Sequence, residues 1–132
     1  MLSPDWGTAR LFLHVLAATV WVGGQLVLGG LVGTARRASP DFPRVLAQAF
    51  GRLAWPAFIL LLGTGAWNVV ANQNRHGAWT ATLTVKIVVA LLSGVSAYLH
   101  QRARERRALA LWGAVSGLSA LGALFLGVLL AG

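Results

Sequence analysis

Four long apolar stretches make up most of this sequence, and they constrain its fold more than any other feature. They lie at about 8–34, 44–71, 79–101 and 107–131. Each is long enough for a transmembrane helix, which needs about 20 predominantly apolar residues. A span in lipid must be helical, because its backbone N–H and C=O groups need partners within the segment. The sequence therefore predicts an all-α integral membrane protein.

The composition and the short connections support a single membrane domain. Hydrophobic residues make up 57% of the chain, charged residues only 11%, and the mean hydropathy is +0.70, whereas about 25% of residues in soluble domains are charged. The connections at 35–43, 72–78 and 102–106 leave no room for a soluble domain, and such short links make consecutive helices antiparallel. We expect one domain, 1–132, folded as an up-down-up-down four-helix bundle whose principal partner is the lipid bilayer.

The basic residues predict how the chain is oriented. The net charge is +8, but the arginines form short clusters between apolar spans rather than a stripe on a folded surface, which argues against nucleic-acid binding. Cytoplasmic loops of membrane proteins are enriched in Lys and Arg. One side carries Arg36, Arg37, Arg44, Arg52, Arg102, Arg104, Arg106 and Arg107, and the other only Arg10 and Arg75. We therefore expect an inner-membrane protein with connections 35–43 and 102–106 in the cytoplasm and both termini outside.

Polar residues inside the spans are the candidate functional residues, because an ionisable group in hydrocarbon is costly. His14 and Lys86 lie at similar depths from the predicted outward surface, and Asn68 and Thr82 fall in the same half of the bundle. Trp21 lies deeper on the face of His14. These residues define a candidate site. Each also has a purely structural alternative: Lys86 extends its side chain to the membrane surface, His14 forms a hydrogen bond between helices, and Trp21 only packs.

The sequence shows no arrangement typical of an enzyme. Its only acids are Asp5, Asp41 and Glu105, all outside the spans, and it contains no cysteine. Paired-carboxylate catalysis and thiolate metal sites are therefore not expected. A binding protein is favoured over an enzyme.

The sixteen glycines are concentrated within the spans. Small residues let helices approach closely in lipid, so Gly29-x-x-x-Gly33 and Gly113-x-x-x-Gly117 predict packing seams. The partner helix belongs either to the same chain or to another copy, and the second case would give a homo-oligomer through the glycine faces.

Three segments carry a family resemblance. LHVLAATVWVGG at 13–24 resembles the first-helix signature of the copper-resistance protein D membrane domain. RLAWP at 52–56, with GTG at 63–65, is similar to the second helix of that family, and TVKIV at 84–88 to its Lys-containing third helix. The resemblance covers nearly the whole chain in order and implies a four-helix membrane domain linked to copper uptake or tolerance.

A more distant similarity is to the HemJ-type membrane proteins of haem biosynthesis, which also pair a first-helix His and Trp with a third-helix Lys. This similarity implies a haem-ligand role for His14. A single core histidine is enough to hold a haem iron. The first hypothesis is therefore a b-type haem protein, active in haem binding or electron transfer with an unknown redox partner. Lys86, Arg10 or Arg75 would pair with the propionates, or Lys86 would be a second axial ligand.

Two other hypotheses stay open. Copper would have to be bound by His14, with His76 from the outward turn or with His14 of a second copy, because the chain has no cysteine and its only methionine is the first residue. Alternatively, the chain is a structural subunit that packs against a larger membrane complex through its glycine faces. Haem is ranked first and copper second.

Overall fold

The structure is a computed structural model that describes all 132 residues, Met1–Gly132. It contains four long helices and no strands: α1 (Trp6–Ala38), α2 (Phe42–Ala71), α3 (Ala78–Arg102) and α4 (Arg106–Ala131). Each includes an 18-residue window with a mean hydropathy of 1.6 to 2.1 and no more than two charged residues. The prediction of an all-α chain with four helices able to cross a membrane is confirmed.

Helix α1 is longer than predicted at both ends. It begins at Trp6 because Asp5 caps it: the backbone N–H of Thr8 donates to Asp5 Oδ1 at 2.7 Å, and the Asp5 N–H reaches back to the Thr8 hydroxyl. Such a reciprocal capping box satisfies two of the donors left over at a helix start. The helix continues to Ala38 and ends where Ser39 becomes extended, as a residue before proline favours.

The cap predicts acid-sensitive fraying of the first turn. The hydrogen bond from the Thr8 backbone, followed by that from the Thr8 hydroxyl, holds the pKa of the Asp5 carboxyl below its ordinary value. The cap's contribution is therefore complete above the pKa of the unfolded chain and is lost as the pH falls through the lowered pKa of the folded chain. We expect the Thr8 amide resonance to titrate with a midpoint below the usual carboxyl value. Asp5→Asn, which keeps a cap but cannot titrate, should abolish this transition, and its persistence in that variant would contradict the assignment.

A π-helical turn interrupts α1 at Thr19–Gly23. The Thr19 hydroxyl donates to the Val15 carbonyl at 2.8 Å, a back-bond that bends helices. The turn contains the buried residues Trp21 and Val22. Turns of this type widen the helix locally and occur frequently at functional sites. The turn also breaks the 3.6-residue period that placed Trp21 on the face of His14.

The chain divides into two compact units, Met1–Gln73 and Asn74–Gly132. The first holds α1 and α2, and the second holds α3 and α4. In both units most of the buried residues are small, as in Ala17, Ala54, Ser93 and Ala120, whereas many Leu, Ile, Val and Phe side chains are exposed. This distribution suits lipid as the solvent, because small residues let helix backbones approach while large apolar side chains face the hydrocarbon.

The second unit is held together by polar and glycine contacts along its length. Ser93 and Ser116 exchange hydrogen bonds, each hydroxyl donating to the other residue's carbonyl at 3.0 Å. Both are at most 2% exposed. The His100 ring lies on Gly113, 3.1 Å from where a Cβ would stand. These contacts assign one half of the predicted Gly113–Gly117 seam to packing within the chain.

Candidate functional site

His14 is the best-defined polar residue inside the first unit. It lies on α1, eight residues after Trp6 or about 12 Å along the helix axis, and its Nδ1 is 2.8 Å from the Thr64 hydroxyl oxygen of α2. Thr64 is 4% exposed, and its hydroxyl donates to the Leu60 carbonyl at 2.7 Å, with a longer contact to Leu61. A hydroxyl has one proton, and a carbonyl can only accept.

That arrangement favours one tautomer of His14. With the Thr64 proton donated to the Leu60 carbonyl, the Thr64 oxygen accepts the hydrogen bond from the His14 Nδ1–H. The lone pair of the neutral imidazole then lies on Nε2. Metal-ligating histidines characteristically donate their other ring N–H in this way, which orients the ring and raises its basicity.

A glycine makes room beside the histidine. The His14 Cε1 atom lies 3.6 Å from the position that a Cβ on Gly65 would occupy. A larger side chain there would meet the edge of the imidazole ring. Thr64 therefore positions the His14 ring by a hydrogen bond, and Gly65 lies beside the edge of the ring.

Arg10 lies one turn before His14 and supplies an unused donor. Its guanidinium carbon stands 6.0 Å from the centre of the Trp67 ring. Its Nε atom is buried and has no hydrogen-bond partner. A buried unpaired donor costs about 1 to 3 kcal/mol. Residues four apart share a face of a helix. The Arg10 cation and its unpaired Nε–H donor therefore lie on the same helix face as His14.

The other predicted residues of the first unit have structural contacts. Trp21 is 3% exposed and packs against Trp55 and Phe58, with ring centres 5.4 and 4.4 Å away. This contact is the packing role weighed for Trp21. Asn68 is half-buried, and its backbone carbonyl accepts a hydrogen bond from the side-chain amide of Asn72 at 2.8 Å.

The predicted residues of the second unit are Arg75, His76, Thr82 and Lys86. The Lys86 stem runs over Gly127 of α4, with Nζ 3.1 Å from where a Cβ would be. Thr82 donates to the Ala78 carbonyl of its own helix at 2.9 Å, and the Arg75 guanidinium stacks 5.3 Å from the Trp79 ring centre. His76 is exposed in the turn before α3. His14 and Arg10 thus share one unit, and Lys86 and Thr82 the other.

Metal-ligating side chains do not cluster. No three His, Cys, Asp or Glu residues stand close enough together to hold an ion.

Thr64 is the residue of this candidate site that the sequence did not indicate. It lies between Gly63 and Gly65 in the second half of α2. A lone hydroxyl within an apolar span was the available signal, but its partner lies fifty positions away in sequence.

Helix number, length and composition define this chain as a multi-pass membrane protein with four candidate spans. No family model, no curated protein and no solved structure matches it. The resemblance to the copper-resistance protein D and HemJ-type families stays a prediction.

Proposed function

We propose that this protein binds a b-type haem through His14 and serves haem binding or electron transfer within the membrane. The observation that carries the proposal is the hydrogen bond between His14 Nδ1 and Thr64, which orients the ring and, with Nδ1 as the donor, makes Nε2 the ligand atom. Arg10 adds a cation with a buried unpaired donor on the same helix face, suited to a propionate. Gly65 adds space at the ring edge. These residues fit a b-type haem, whose iron would supply one-electron chemistry when bound.

We further propose the membrane arrangement that this function needs. The chain crosses the inner membrane four times as an up-down-up-down bundle, with connections 35–43 and 102–106 in the cytoplasm and both termini outside. The distribution of arginines supports this orientation. His14 then lies in the outward half, accessible to a redox partner on that side.

An absorption spectrum of the detergent-purified protein tests the proposal. The chain is expressed with adequate haem supply, and spectra are recorded oxidised and dithionite-reduced, with a pyridine haemochrome assay. We expect a Soret band and a stoichiometric b-type signal. A colourless protein that carries copper by elemental analysis would overturn the proposal in favour of the copper alternative, and one with neither group would favour the structural subunit.

Thr64 is predicted to act as a positioning residue. Thr64→Val keeps the volume but removes the acceptor for the His14 N–H, so haem affinity should fall by about 10- to 100-fold, as for other partners of metal ligands. The midpoint potential should rise, because a less basic imidazole donates less to the oxidised iron. Thr64→Ser should restore both values. A fall in affinity without a change in potential in Thr64→Val would assign Thr64 a purely structural role.

A further inference from the structure

Contacts at two levels define the register between α3 and α4 in the second unit. Near the start of α3, the Trp79 Nε1–H donates to the Leu130 carbonyl at 3.4 Å. Further along α3, Ser93 exchanges hydrogen bonds with Ser116. Each step forward on α3 thus corresponds to one step back on α4. The end of this unit at which α3 begins is therefore the end at which α4 finishes.

Lys86 is the only charged side chain within the apolar part of α3, and it extends toward that end of the unit. By the register its backbone lies level with Ala123, yet its Nζ atom is 3.1 Å from the Cβ position of Gly127. These two levels differ by about 6 Å along α4. The direction agrees with the tilt of helical side chains toward the helix N-terminus. The stem of Lys86 therefore brings the ammonium group to about 6 Å from the last residue of α4.

Two stacks of an arginine on an aromatic ring have the spacing of the two membrane surfaces. The Arg75 guanidinium lies 5.3 Å from the centre of the Trp79 ring, and that of Arg102 lies 5.3 Å from the Tyr98 ring. Trp and Tyr are enriched at both membrane interfaces. The two aromatic residues are about 28 Å apart along the helix axis, close to the thickness of the hydrocarbon core, which is about 30 Å. The Lys86 ammonium then lies only about 5 Å inside the surface at Trp79.

The Lys86 ammonium has no counter-ion within the chain. No hydrogen bond or ion pair joins it to another residue. Glu105, the only acidic side chain of this unit, precedes α4 at the opposite end. Gly127 has no side chain, so the amine lies where a side chain would otherwise stand, and Lys86 is half-buried. An unpaired cation in this setting favours an anionic ligand from outside the chain.

We infer that Lys86 binds the phosphate of an anionic phospholipid in the leaflet at the Trp79 end of the second unit. An ammonium donates charge-assisted hydrogen bonds to phosphate oxygens, and lipid phosphates lie just outside the hydrocarbon core. Local thinning of the bilayer, which accompanies other intramembrane cations, closes the remaining few ångströms. The site is independent of haem.

The depth of the ammonium favours a lipid over a partner protein. A carboxylate on a partner helix is expected where a lysine is held in the middle of the membrane, away from lipid head groups. Lys86 instead reaches along α4 to the level of Gly127, close to its end. Arg75 adds positive charge to the same end of the unit, which attracts anionic lipids.

Solid-state NMR of the full chain in bilayers tests this inference directly, because Lys86 is the only lysine in the sequence. The chain is labelled with ¹⁵N at the lysine side chain and reconstituted in phosphatidylglycerol in phosphate-free buffer, so that all phosphorus belongs to lipid. We expect strong dephasing of the Lys86 Nζ signal by ³¹P, corresponding to a separation of about 4 Å, as charge-assisted hydrogen bonding to a phosphate oxygen requires. Absence of dephasing would overturn the inference, whether the ammonium then pairs with a carboxylate or with nothing.

Phosphatidylcholine with identical acyl chains is the second probe. Its own ammonium group competes for the phosphate, so the dephasing of Lys86 Nζ should fall to less than about half of that in phosphatidylglycerol. Equal dephasing in the two lipids would refute the preference for an anionic head group.

An exchange of two residues provides the matched control. Val89 lies further along α3, with Cγ1 3.4 Å from the Cβ position of Gly122. Lys86→Val/Val89→Lys keeps the composition and moves the lysine about 4.5 Å toward the membrane centre. The coupling to ³¹P should fall several-fold, because it decreases with the cube of the distance. Equal coupling in the natural chain and the variant would mean that a lysine reaches phosphate from either position, and the site beside Gly127 would be wrong. The measurements on the natural chain decide the inference if the variant does not fold.

Discussion

His14→Ala is expected to reduce the haem content from about one per chain to almost none. The imidazole is the only axial ligand proposed in the first unit, and alanine removes the Nε2 lone pair along with the contact to Thr64. The loss should appear as the disappearance of the Soret band and of the pyridine haemochrome signal. Circular dichroism should show the same helix content as in the natural chain, because four long apolar helices do not depend on one histidine.

His76→Ala is the matched control for this experiment. It also removes an imidazole, but from an exposed position in the turn between α2 and α3. It should keep full haem content and an unshifted spectrum. If His14→Ala retained stoichiometric haem, or His76→Ala lost it, the ligand assignment would be wrong. Addition of imidazole to His14→Ala should restore part of the signal, because the space left by the side chain can admit the free ligand.

Gly24→Ala is expected to destabilise the protein, by about 1 to 3 kcal/mol for overpacking. A Cβ at this position would collide with the Phe50 ring of α2, so the ring would have to shift. The higher helix propensity of alanine offsets this cost by only about 1 kcal/mol. The measurement is the midpoint of thermal unfolding in detergent.

Two other glycines provide controls for the same substitution. Gly30→Ala should be neutral or slightly stabilising, because no atom lies within 4 Å of its Cβ position. Gly127→Ala should cost little, because its neighbour is the flexible end of Lys86. In a double-mutant cycle, Phe50→Ala should remove most of the cost of Gly24→Ala. Equal destabilisation by Gly24→Ala and Gly30→Ala would mean that the Phe50 contact does not limit the packing.

Hydropathy was sufficient to predict the helices because lipid leaves a spanning chain no alternative. Their ends were less predictable. The Asp5–Thr8 cap starts α1 before the apolar stretch, and the helix ends at Ala38, beyond that stretch. Both differences arise because helix ends depend on hydrogen bonds and proline rather than on hydropathy. The π turn at Thr19–Gly23 has no composition signal, since it follows from a local choice of hydrogen-bond partner.

By the helical period, Trp79, Ser93 and His100 share one face of α3, and each of them contacts α4. It could not say which helix that face meets. In the same way, position and polarity selected His14 as a candidate ligand, but its ring geometry depends on Thr64. The glycine seams show the same limit, since Gly113 meets the His100 ring while Gly29 and Gly117 meet nothing.

The sequence by itself determined a helical membrane chain with four spans, the arginine asymmetry and the few polar residues that chemistry could use. These properties follow from composition and from the cost of exposing backbone groups to lipid, which act on each segment independently. Only the tertiary structure decided that Thr64 orients His14, that Arg10 holds a buried unpaired donor, and that the Lys86 amine lies against Gly127. Those features require side chains far apart in the sequence to come within a few ångströms, and packing alone brings them together.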